Sequence, residues 1–203
     1  MPRAGLSPER LTLAAAELAD REGLHAVTAT ALARHFGVAP ASLYSHVRGT
    51  LDLRERVALL GLQESADALA DVLAGRSGRA ALAALAAGYR DYATAHPGRW
   101  AATRTRLDPA AAATSAGPRH AALARAALGA YGLDEPDLTH AVRIVGALVQ
   151  GWIELETAGS FDHSDPPAAA SRERLVDALD AMFRAWPATP HPTTTPQTED
   201  HTP

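Results

Sequence analysis

Alanine decides most of what this chain can become. It supplies 47 of the 203 residues, against ten aromatic residues in all. Alanine is the strongest intrinsic helix former, because it loses no side-chain freedom on entering a helix. Val, Ile and the aromatic residues that favour strands are few. The expected fold class is therefore all-α. The length suits one domain or two small ones.

Several function classes fall away on composition. With no cysteine there are no disulfides, thiolate metal sites or cysteine nucleophiles. No apolar run approaches the ~20 residues of a membrane span. The opening residues Met1-Pro2-Arg3-Ala4-Gly5 lack the apolar stretch of a signal peptide, so a cytoplasmic location is expected. The formal net charge is −4, which argues against a uniformly basic nucleic-acid binder. The charge is unevenly spread. Residues 23–51 hold no Asp or Glu, yet they carry Arg34, Arg48, His25, His35 and His46. One cationic stretch sits inside an acidic protein.

Helix punctuation divides the chain. Ser7 and Pro8 open a first helix that Gly23 stops. A short helix follows Thr28, with Leu32, Ala33 and Phe36 on its apolar face, and ends at Gly37. Val38 and Ala39 form a turn. Pro40 then opens a third helix of about two turns, through Val47, which Arg48-Gly49-Thr50 breaks. A long helix is expected from Leu51 to about Ala74, and another from Ala80 to Ala95. His96-Pro97-Gly98 punctuates, and a short helix holds Trp100 to Leu107. Residues 110–117 are ambiguous. A helix runs from Pro118 to Tyr131. Asp134 is the expected cap of a strongly apolar helix ending at Gly159, and a last amphipathic helix ends near Trp186. The tail from Pro187 is rich in Pro and Thr and reads as disordered.

Two short helices joined by Gly37-Val38-Ala39 form a helix-turn-helix pattern. Leu32 and Val38 bury against Leu43 and Val47 and fix the angle between the helices. The second helix can then lay Ser42, Ser45 and His46 in a major groove, with Tyr44 near the backbone. An ordinary helical hairpin in a bundle core carries the same pattern, and only the acid-free window and the capped helix before it favour DNA.

The stretch Val27-Thr28-x-x-x-Leu32-Ala33-x-x-Phe36-Gly37-Val38-x-x-x-x-Leu43-Tyr44-x-His46-Val47 resembles the tetracycline-repressor (TetR/AcrR) family of bacterial regulators. Ala95-His96-Pro97-Gly98 and Trp152-x-x-Leu155-Glu156-x-x-Gly159-x-Phe161 are similar to one C-terminal subgroup of that family. The resemblance implies a homodimer that binds a palindromic DNA operator and releases it when a small molecule binds. It implies a DNA-binding domain over residues 1–50, a ligand-binding and dimerisation domain over 51–187, and a tail over 188–203. Ala39, Pro40 and Ser42 match the start of the recognition helix. Tyr44 and His46 match phosphate- and base-contacting positions, and Thr28 matches a phosphate-contacting helix start. The family usually has Lys where this chain has Thr50. A hydroxyl and a backbone N–H remain at that helix start, and Arg48 and Arg3 are available to compensate. A small-molecule-binding dimer with a weakened DNA-reading head is the alternative.

Tyr89, Tyr92, Trp100 and Trp152 are candidates for lining an apolar effector pocket, with Arg104 or His140 as polar anchors; plain core packing is the competing reading. No cofactor is expected. The nine His show no His-x-x-x-His pair, and Phe161-Asp162-His163-Ser164-Asp165 reads as a polar loop rather than a cation site. No hydrolase, phosphate-loop or dinucleotide motif points to an enzyme. The last two helices, with Val145 and Leu179 among their apolar residues, are the expected dimer contact.

Overall fold

The computed structural model describes residues 5–187, and every described regular element is helical. The tail expected to be disordered, and Arg3, lie outside the described residues. Helix α1 (Pro8–Glu22) opens where Ser7 Oγ accepts the Arg10 N–H at 3.3 Å, and it closes at Gly23 with φ of 87°. Helix α2 (Ala29–Phe36) is capped by Thr28, whose hydroxyl oxygen accepts the Ala31 N–H at 3.1 Å. Gly37 takes the left-handed conformation, φ 66°, which lets the Val38 N–H turn back to the Ala33 carbonyl.

The third helix is shorter than the sequence suggests. Pro40–Leu43 form one 3-10 turn, and the chain continues through tight turns to Val47. The Ser42 N–H donates to the Ala39 carbonyl three residues back, and the Ser45 hydroxyl donates to the Ser42 carbonyl at 3.0 Å. Serine side chains compete in this way with the backbone ladder of a regular helix.

Helix α3 (Thr50–Leu73) is the shared element. Its Leu53, Val57 and Ala58 complete a first core with Leu11, Ala15, Leu32, Leu43 and Val47. Its Leu69 belongs to a second core with Leu82, Leu85, Leu128, Val149, Ile153 and Phe183. The other helices are α4 (Gly78–Ala95), α5 (Pro97–Ala102), α6 (Pro109–Thr114), α7 (Gly117–Leu128), α8 (Asp137–Thr157) and α9 (Ala168–Arg184).

Three boundaries depart from the sequence reading. Helix α5 starts at Pro97 and stops at Ala102, before Leu107. The ambiguous stretch forms α6, because Asp108 accepts the Ala110 and Ala111 N–H groups at 2.8 and 3.0 Å. Asp134 does not cap α8, which begins three residues later at Asp137. The expected dimer contacts Val145 and Leu179 are only 2% and 4% exposed and sit in the second core of a single protomer. No described helix is long and apolar enough to cross a membrane.

Candidate nucleic-acid interface and effector cavity

The turn that follows α2 builds one exposed surface. Ala39, Ser42, Ser45 and His46 line a single hollow together with Leu6, Phe36 and Val38. Pro40 starts the 3-10 turn beside it. Tyr44 is 60% exposed, because Leu43 and Val47 take the buried positions around it. Thr28 and Thr50 are half-buried at the first turns of α2 and α3. Arg48 is 87% exposed, with its guanidinium 3.6 Å from Asp52 Oδ1.

Asp52 carries a role that the sequence pattern did not single out. Its carboxylate is 9% exposed and accepts the Arg48 backbone N–H at 3.0 Å and the Arg56 Nε–H at 3.1 Å. Burial alone raises a carboxyl pKa. Here the Arg48 N–H and the Arg56 guanidinium outweigh it and hold the group below its ordinary value. An ionised Asp52 therefore ties the backbone before Gly49, whose φ is 112°, to the first turn of α3.

The two cores are joined at α5. A Cβ on Gly98 would meet the Ala19 carbonyl carbon at 2.0 Å and the Asp20 nitrogen at 2.5 Å, so only glycine allows α5 to lie against α1. Gly61 of α3 faces α5 from the other side, with a hypothetical Cβ 2.9 Å from the Arg99 carbonyl oxygen. Charges reinforce this seat. Asp20 Oδ1 accepts the Arg99 backbone N–H at 2.9 Å, and Asp20 Oδ2 forms an ion pair with Arg99 Nε at 3.1 Å. His96 Nδ1 lies 3.3 Å from the same oxygen. Arg99 also donates to Glu64 of α3 at 3.1 Å, and Glu64 accepts the Tyr92 hydroxyl at 3.0 Å. Burial, and then the Glu64 charge, push the Tyr92 phenol far above its ordinary value. The His96-Pro97-Gly98 punctuation is thus the joint that holds α5 to α1.

The far side of α5 borders a cavity of about 490 Å³, lined in part by Tyr89, Trp100, Thr103, Arg104, His120 and Gln150. Of the pocket candidates, Tyr89, Trp100 and Arg104 come together here. Tyr92 is buried toward Glu64 instead. Trp152 borders a smaller cleft of about 280 Å³ between α4, α8 and α9, and meets Phe161 at a tilt, with ring centres 4.7 Å apart. His140 is exposed on α8 and absent from both linings.

His120 is the histidine the cavity uses. Its Nε2 lies 2.9 Å from the Leu62 carbonyl oxygen and its Nδ1 lies 2.8 Å from the Tyr89 hydroxyl. Burial lowers its pKa, so the neutral ring is favoured, and burial pushes the Tyr89 phenol up to about 12. Nothing in the sequence separates His120 from the other eight His, since its partners come from α3 and α4. Arg104 lies over the Trp100 ring, 5.6 Å from its centre, and pairs with Glu154 at 2.8 Å. Among the described residues no group of three His, Asp or Glu could hold a metal ion.

Comparison with known proteins gives these features a context. Residues 11–57 match the family described as bacterial regulatory proteins, tetR family, and residues 82–179 match the tetracyclin repressor-like C-terminal domain. The HTH-type transcriptional regulator Rv0681 of Mycobacterium tuberculosis is 37% identical over 169 residues, covering 81% of this chain and 77% of that one. The HTH-type regulator YobS of Bacillus subtilis is 40% identical over 101 residues; the match spans 50% of this chain and 53% of YobS, about half of its length. In fold, the chain is similar to a TetR variant from Acinetobacter baumannii solved with minocycline, with a TM-score of 0.67 and 22% identity over 91% of this chain and all of that one. ActR from Streptomyces coelicolor gives a TM-score of 0.67 at 18% identity, covering 90% and 96% of the two chains.

Proposed function

This chain belongs to the TetR family of bacterial DNA-binding transcriptional regulators, which are not enzymes, and from that premise we propose that it is a ligand-responsive cytoplasmic repressor acting as a homodimer on an inverted-repeat operator. The DNA-binding domain spans about 1–50 and the ligand-binding and dimerisation domain 51–187. Ser42, Ser45 and His46 read bases from the surface that Ala39 and Pro40 begin. Thr28, Tyr44, Arg48 and Thr50 hold phosphates. A small, largely apolar effector occupies the cavity of Tyr89, Trp100 and Arg104.

The observation that carries this reading is the position of α5. One side of it lies on the α1 backbone through Gly98, and it supplies Trp100 to the cavity, with Thr103 and Arg104 following in the turn at its end. An occupant that displaces α5 displaces α1 with it. Regulation then follows as a difference in DNA affinity between two states.

Dimerisation uses the outward stripe of α8. Ile144, Leu148, Gly151 and Leu155 recur at helical spacing, and Leu148 and Leu155 are 42% and 49% exposed in the protomer. Selection of bound duplexes from random DNA, followed by a gel shift with the recovered sequence, tests the function. Recovery of an inverted repeat is the expected result. Failure to enrich any sequence would support the alternative of a ligand-binding dimer with a weakened head, which Thr50 and the Arg48–Asp52 pair favour.

A further inference from the structure

The hydroxyl hydrogens of Tyr89, Ser65 and Thr103 and the ring hydrogen of His120 are already committed, each to an acceptor that fixes its direction. A carbonyl only accepts, so His120 Nε2 must carry the hydrogen that reaches Leu62 O. In the neutral ring Nδ1 is then an acceptor, and the Tyr89 hydroxyl must donate to it. Ser65 donates to the Gly61 carbonyl at 2.6 Å and Thr103 to the Trp100 carbonyl at 2.7 Å. Each hydroxyl is left with lone pairs and no hydrogen to offer. The Arg104 charge at the wall is matched by Glu154, so the cavity does not require an anion. The Tyr89 and Trp100 rings meet at a tilt of 53°, 5.7 Å apart between centres, and give the wall one apolar corner.

We propose that the cavity selects an aromatic molecule that donates a hydrogen bond to the Tyr89 oxygen, such as a phenol or an aminoarene, over the same skeleton with that donor methylated. This rests on the cavity being the effector site. The donor extends a chain from ligand O–H to Tyr89 O–H to His120 Nδ1, with His120 Nε2–H closing on Leu62 O. Such chains polarise one another and strengthen each bond. A methyl ether brings only an acceptor, which at Tyr89 faces another acceptor and leaves the lone pairs of that oxygen without a donor.

The test compares 2-naphthol with 2-methoxynaphthalene by calorimetric titration of the full chain. The naphthol should bind at least about 10-fold more tightly. In His120→Leu the Tyr89 hydrogen loses its acceptor and turns to the cavity, so the preference should shrink or reverse. Nitrogen NMR of the histidine-labelled native chain should show His120 with its hydrogen on Nε2, a readout that needs neither ligand nor variant. Equal binding of the two probes, no binding of either, an unchanged preference in His120→Leu, or an Nδ1–H tautomer would each overturn the proposal. The effector-site reading is decided separately by Gln150→Trp, which fills the cavity from α8. If that variant leaves operator affinity unchanged, the cavity does not control DNA binding, whatever the probes do.

Discussion

Gly98 of α5 lies so close to Ala19 of α1 that a Cβ at Gly98 would fall 2.0 Å from the Ala19 carbonyl carbon. Two backbones in contact leave no flexible side chain to give way. Gly98→Ala must therefore part α5 from α1 and disturb the Asp20–Arg99 bonds with it. The expected loss is about 3 kcal/mol or more in denaturant unfolding. Near-native stability would show that the two helices are free to separate.

The charges around that contact predict a coupling. Asp20 and Arg99 are 16% and 13% exposed, so their pairing is only weakly screened. Asp20→Asn keeps the shape but removes the charge, at an expected cost of about 1–3 kcal/mol. It should also reduce the effect of Gln150→Trp on operator affinity, because α5 then moves without pulling α1. The two variants form a double-mutant cycle, and additive effects on DNA binding would rule out this route.

His120 sets a pH dependence. Its pKa is lowered in the folded chain from the ordinary 6.5. As pH falls through 6.5, the unfolded chain takes up a proton that the folded chain refuses. The neutral ring's contribution is thus complete above about pH 7.5 and declines as pH falls toward the folded pKa. His120→Leu should flatten this part of the stability profile. An equally steep profile in the variant would assign the dependence to other groups.

Substitutions on α8 and α9 separate core from contact. Val145→Glu places a charge among Leu82, Leu85 and Phe183 of one protomer and should abolish folding. Leu179→Glu should do the same. Leu148→Glu or Leu155→Glu changes an exposed position and should yield folded monomers by light scattering. A folded, monomeric Val145→Glu would reverse this assignment.

The head was largely legible because its signals are local. Ser7, Thr28, Gly37 and Gly49 each act within a few residues, and the alternation of Leu32, Leu43 and Val47 with polar neighbours fixes the exposed side. The shortness of the Pro40–Leu43 turn was not legible, since Ser42 and Ser45 fit the exposed face of a regular helix equally well. In the second half, alanine at most positions erases the contrast between faces. Trp100, Tyr89 and Arg104 stood out by size and do share a cavity; Trp152 and Tyr92 stood out equally and do not. His120, Asp20 and Glu64 have partners 28 to 79 residues away, a separation that no local spacing encodes.

The residues proposed to face DNA divide by what they would touch. His46, Ser42 and Ser45 share the hollow beside the turn, where base edges would lie, while Arg48 projects into solvent close to Thr50 in the chain. His46→Ala should cost about 1–3 kcal/mol on the preferred operator and relax base preference at one position per half-site. Arg48→Ala should weaken all sequences alike and reduce the log–log salt slope by about 0.9 for each phosphate it ceases to neutralise. Its local geometry should survive, because Asp52 holds the Arg48 backbone N–H rather than depending on the side chain. Thr50→Lys should tighten binding and steepen the slope, since it adds a cation at the start of α3, where the acid of the first turn, Asp52, is already neutralised by Arg56. Half-sites should be spaced by about one helical turn, ~34 Å, or a multiple of it. Fluorescence anisotropy across a salt series, with the selected duplex and a scrambled one, measures all three variants. If His46→Ala leaves base preference intact while Thr50→Lys changes neither affinity nor slope, the recognition surface lies elsewhere on the head.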